Sequence, residues 1–104
     1  MPPDRRPTAV MALSDLLAIG VMNAVADAGM VVGRDLAVVG FDDSPVTGYL
    51  RPPLTSLRQP ITQVSERIVR MLVDLVRGEM PAPAQVLLKP RLIVRDSTAL
   101  GAVA

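Results

Sequence analysis

Apolar residues recur along this chain in two rhythms. Short uninterrupted runs, Thr8–Leu13 (TAVMAL) and Leu36–Phe41 (LAVVGF), have the length of strands buried on both faces. A third short run, Leu54–Arg58, predicts another strand. Between the first two lies a stretch with helical spacing. Ser14 stands where an N-cap belongs, Asp15 complements the dipole of the first turn, and Gly29 suits the left-handed residue after the last turn. This predicts a helix from about Asp15 to Ala28 and, with its flanking strands, a βαβ unit.

That helix is apolar nearly all round. Leu17, Val21, Ala24, Val25 and Ala28 form one stripe, assigned to the sheet, and Leu16, Ile19, Met22 and Ala26 form a second on the other side. A second apolar face on a small domain asks for a cover, and a partner subunit is the economical one. A second helix is predicted from Ile61 to Arg77, with Ile61, Val64, Ile68, Met71, Leu72 and Leu75 on one face and charged residues opposite. Between the second and third strands, residues 42–53 read as irregular, with one helical turn near Pro45 to Tyr49. After Gly78, residues 80–84 read as a loop. Val86–Leu88 and Leu92–Val94 read as short strands.

Composition narrows the picture. The chain has 104 residues, enough for one small domain, and half are hydrophobic. With only Phe41 and Tyr49 aromatic, the core must come from aliphatic side chains. A net charge of +1 makes no case for a nucleic-acid surface. There is no cysteine for disulfides or thiolate-bound metals, and no histidine to act as base or ligand. No phosphate-binding glycine motif occurs, so nucleotide chemistry lacks its usual signature, catalysis has little to stand on, and no cofactor or metal is expected. The start, MPPDRRPTAV, lacks the apolar stretch of a secretory signal, and no run is long enough to span a membrane, so the expected location is the cytoplasm.

What remains is binding. Ligands of open α/β sheets gather beyond the carboxyl ends of the strands. Polar groups follow each of the three predicted strands: Ser14 and Asp15, then Asp42 and Asp43, then Gln59. Carboxylates, hydroxyls and amides on one rim suit the hydroxyls of a sugar-like ligand. The competing reading is that Asp42 and Asp43 merely cap the following turn.

The run from Pro7 through VVGFDD (38–43) and YLRPPLTSLRQP (49–60), closed by RLIVRDST (91–98), resembles the C-terminal effector-binding region of lactose/galactose-repressor-type (LacI/GalR) transcriptional regulators. The resemblance implies part of a type I periplasmic-binding-protein-like α/β fold with a parallel sheet: most of one lobe's second half plus a piece of the other lobe. It assigns residues 8–59 and 91–99 to the effector-binding C-terminal lobe and 60–90 to the first lobe, with 1–7 a disordered lead-in and 100–104 a loose tail. It implies effector contacts at Asp42, Gln59, Ser14 (where the family usually has Asn) and Asp15, with Asp43 left to capping. Ile61 stands where some members carry a ligand-stacking aromatic. The resemblance further implies a homodimer formed through Leu16, Ile19, Met22, Ala26, Tyr49 and Leu50, and contact with DNA only through an N-terminal domain not in this chain. A solute-binding protein fragment and a stand-alone dimerisation module are the alternatives. The isolated chain is expected to be strongly dimeric or marginally stable.

Overall fold

The computed structural model describes residues 5–81, 83 and 85–99. Residues 1–4 of the expected lead-in and the whole expected tail 100–104 lie outside that set. The chain divides into two compact units, one running to Arg58 and resuming at Leu92, the other comprising Gln59–Arg91.

The first unit is built on parallel strands β1 (Ala9–Met11), β2 (Ala37–Phe41) and β3 (Thr55–Arg58), with β4 (Arg91–Ile93) next to β3 in the order β1-β2-β3-β4. Register pairs Val10 with Val38 and Gly40 with Ser56. Helix α1 (Asp15–Asp27) makes the β1–β2 crossover. Its N-cap is Ser14, whose Oγ accepts from the Leu17 N–H at 3.2 Å, and Gly29 follows at φ +76°. The segment after β2 forms a single 3-10 turn at Pro45–Tyr49.

The core lies between α1 and the sheet: Ala12, Ala18, Met22, Val25, Val32, Leu36, Val38 and Leu54. The expected phase of α1 is therefore corrected. The inward stripe is Asp15, Ala18, Met22 and Val25, while Leu17 is 56% exposed and Met22, expected on the outer face, is buried. In β2 only alternate positions are enclosed towards the end. Val38 and Gly40 are buried and Val39 and Phe41 half-exposed, so this strand is less covered than an apolar run suggests.

The second unit holds α2 (Ile61–Val76), followed by Gly78 at φ +77°. No residue of α2 itself is buried; Ile61, Ile68, Leu72 and Leu75 are all more than half exposed. The strand expected at Val86–Leu88 does not form, and residues 85–90 have no regular structure. Apolar content alone does not make a strand, whose backbone groups need a paired neighbour.

Candidate functional site

The parallel arrangement of β1, β2 and β3 puts their carboxyl ends on one edge, bringing Ser14, Asp15, Asp42 and Asp43 to a common rim of the first unit. Gln59, the residue after β3, opens the second unit.

Asp15 does not face solvent. It is 4% exposed, and its carboxylate accepts from the Ser44 N–H at 2.6 Å and from the Ser56 hydroxyl at 2.7 Å. This corrects its expected role as an effector contact, because burial and two internal donors commit both oxygens to the fold. Gly40 explains how it fits. A Cβ there would collide with the Asp15 carboxylate Oδ1 and crowd Leu54, so the glycine of VVGFDD leaves room for an acid from α1 to pass over the sheet.

The loop beyond β2 is clamped along three successive amides. The Asp42 N–H donates to the Leu57 carbonyl at 2.8 Å, the Asp43 N–H to Ser56 Oγ at 2.9 Å, and the Ser44 N–H to Asp15. Asp42 sits at φ +108° and Asp43 at φ +55°. Non-glycine residues adopt such values at a cost of roughly 1–3 kcal/mol and only where surrounding contacts over-determine them, often at ligand sites. Asp42 is exposed on this rim.

Asp43 was expected to cap the next turn. Instead it is the acceptor of a charge cluster. Its side chain is 3% exposed and receives Arg58 Nε and Nη2, both at 2.8 Å, on Oδ2. Arg95 Nη1 meets Oδ1 at 2.7 Å and also donates to the Leu54 carbonyl. The Thr47 hydroxyl lies 2.8 Å from Oδ1. Burial by itself would push this carboxyl up; the bonds from Arg95, Thr47 and Arg58 outweigh it and bring the pKa down to about 2.

The C-terminal 3-10 turn (Asp96–Thr98) secures the same region from behind. Ser97, fully buried, donates to the Val38 carbonyl at 2.6 Å and accepts the Thr55 N–H at 2.8 Å, so it bridges β2 and β3. Thr55 Oγ1 accepts the Arg95 N–H at 2.7 Å. Gly33, at φ +88°, packs against the Asp96 backbone where any Cβ would clash with the carbonyl. Neither Arg95 nor Ser97 figures among the expected site residues, although both stand in the RLIVRDST run that carries part of the resemblance.

Of the residues expected at a dimer surface, Leu16 is 77% and Tyr49 81% exposed. Ala26 is exposed, Ile19 half-buried, and Leu50 partly buried against the core. Met22 is turned inward and offers no outer surface. A surface groove of about 580 Å³ runs along α2, bordered by Glu66, Val69, Arg70, Val73 and Asp74. It lies on a helix with no buried residue, unlike the enclosed pockets that hold small ligands. Among the described residues no cluster of three or more acids could hold a metal, and no helix is long and apolar enough to cross a membrane.

Comparison with known proteins places these features in a family. Residues 1–98 match the profile of the periplasmic binding protein-like domain. The transcriptional regulator MalR of Streptomyces coelicolor is 42% identical over 93 residues, which are 88% of this chain and 27% of that protein. The crystal structure of a LacI-family regulatory protein from Chloroflexus aggregans superposes with a TM-score of 0.83 at 47% identity, over 93% of this chain and 34% of that one. A LacI-family regulator from an Arthrobacter species, solved with lactose, gives 0.75 at 34% identity over 88% and 34%. The chain thus spans about a quarter to a third of the proteins it resembles. With a parallel α/β sheet, a matching profile over nearly its whole length and LacI-type regulators as its relatives, the chain belongs to the periplasmic binding protein-like domain family.

Proposed function

We propose that this chain is the effector-sensing and dimerisation part of a LacI-type transcriptional regulator. Its effector is a sugar-like polyol, with Asp42 the principal contact. The observation that supports this most is the clamped loop. Three tied amides and the buried Asp43 hold Asp42 at a costly φ on an exposed rim. A residue serving only as a turn former would not need such support. A side-chain carboxyl carried on a backbone held in this way is presented to adjacent hydroxyls at a reduced ordering cost. The lactose held by the Arthrobacter relative has that chemistry. Ser14, on the same rim, is a second contact. Gln59 is carried into the proposal on the family resemblance alone.

The same reading makes the protein a non-enzymatic, cytoplasmic homodimer. Its contact with DNA lies in a region outside the segment shared with its relatives. The exposed apolar outer face of α1 with Tyr49 supports the dimer; Leu16→Glu should shift sedimentation towards the monomer. The effector site is tested by calorimetric titration with lactose, cellobiose, maltose, glucose and galactose. At least one should bind, and Asp42→Ala should weaken it at least tenfold. Sugar binding that survives Asp42→Ala unchanged refutes the site.

A further inference from the structure

We propose that Asp43 is a positioning residue that couples Asp42 to both points where the chain passes between its two units. The proposal rests on the assignment of Asp42 as an effector contact. The first unit ends at Arg58 and resumes at Leu92. Arg58, the last residue before the outgoing connection, places two guanidinium nitrogens on Oδ2 of Asp43. Arg95, just after the return, places Nη1 on Oδ1. Each carboxylate oxygen thus answers to one of the two connections, and the residue that carries them is peptide-bonded to Asp42.

Side chains this constrained transmit displacement. Arg95 is held at its backbone by Thr55 and at its guanidinium by the Leu54 carbonyl, so it moves with β3 and the returning strand rather than by itself. The Asp43 amide is tied to Ser56 on β3 as well. A shift of either connection therefore pulls on Asp43 and reorients the Asp42 loop. By reciprocity, a ligand that holds Asp42 biases both connections. Arg58 is informative because its side chain is 52% exposed and Arg95 and Thr47 still hold Asp43 without it, so its removal costs less stability than loss of Asp43 itself while it releases the outgoing connection.

The test measures sugar affinity by calorimetry for the full polypeptide and its Asp42→Ala, Arg58→Gln, Arg58→Lys and Arg95→Lys variants, using the five sugars named above. Amide exchange is recorded with and without the best binder. Arg58→Gln should weaken binding about fivefold to tenfold while keeping a cooperative melt close to that of the parent, and Arg58→Lys should recover part of the loss. In the parent, sugar should slow exchange at residues 42–44 and also at 58 and 92–95. In Arg58→Gln the slowing at 58 and 92–95 should vanish. Should Asp42→Ala abolish binding while Arg58→Gln and Arg95→Lys retain full affinity and the same exchange pattern, the coupling is refuted and the effector site stands. If no sugar binds, or Asp42→Ala binds normally, the effector site and the coupling fall together.

Discussion

Replacing Asp43 by Asn keeps the shape of the side chain and removes its charge, leaving Arg58 and Arg95 on a neutral amide. The Asp43 carboxyl falls from its ordinary 3.8 to about 2 in the folded chain, a difference worth about 2 kcal/mol at neutral pH. Leaving two guanidinium groups without their anion adds to the loss, though Arg58 is half exposed and well hydrated. The variant should therefore be about 3 kcal/mol less stable than the parent at pH 7. The pH dependence is the sharper test. Because the folded pKa is depressed, the unfolded chain binds the proton first. The contribution is present above about pH 4 and is lost as pH falls towards 2. Urea unfolding followed at the β2 amide signals in NMR reads this unit separately from α2. Taken at pH 7, 4, 3 and 2, the stability difference between parent and variant should shrink by about 2 kcal/mol across the last three points. Asp35, whose carboxyl is also lowered, first by the bond from the Val31 N–H and then by Arg34, titrates in both proteins and cancels. A difference that stays constant from pH 4 to pH 2 would show that Asp43 is not ionised by this cluster, and the account of the clamped loop would fail.

Asp42→Gly should raise stability by about 1 kcal/mol, since relief of a positive φ outweighs the added freedom of the unfolded chain, while sugar binding is lost; a lower urea midpoint refutes the strain. Gly40→Ala should cost about 3 kcal/mol by driving its Cβ into Asp15. In an Asp15→Ala background the same change should cost clearly less, so additive losses in that double-mutant cycle would refute the contact. Ser97→Ala strands the Val38 carbonyl and the Thr55 N–H in the interior and should cost about 3 kcal/mol, measurable as a lower urea midpoint; a loss under about 0.5 kcal/mol would mean that water replaces the hydroxyl.

Elements with a clear period were legible from the amino-acid order. The strands at 9–11, 37–41 and 55–58, both long helices and the turn at 45–49 stand within a few residues of where spacing and caps put them. The phase of α1 was not, because a helix apolar on every side gives hydrophobicity no face to choose. Its true inward stripe, Asp15-Ala18-Met22-Val25, contains an acid, and what selects it is the anchoring of that acid to Ser44 and Ser56. Asp42 stands out as a polar residue past a buried strand. Its neighbour Asp43 looks like a cap because its two cationic partners are 15 and 52 residues away in sequence. Local pattern carries no trace of such pairings. The strand expected at 86–88 failed for a related reason: apolar content there is necessary for a strand, but a pairing edge is supplied by tertiary structure alone.

Ser97, 42 residues after Thr55, reaches back to join β2 and β3, and that sets a timetable for synthesis. Residues to Arg58 leave the ribosome with the Val38 carbonyl, the Thr55 N–H and the Asp43 carboxylate all still lacking their late partners. At roughly 5–20 residues per second, the partners at 95–97 follow only some seconds afterwards. During that wait the nascent sheet is incompletely satisfied and is a natural client for a chaperone. A stop codon just before Arg95 should therefore yield a product that is captured or degraded rather than one that is slightly shortened.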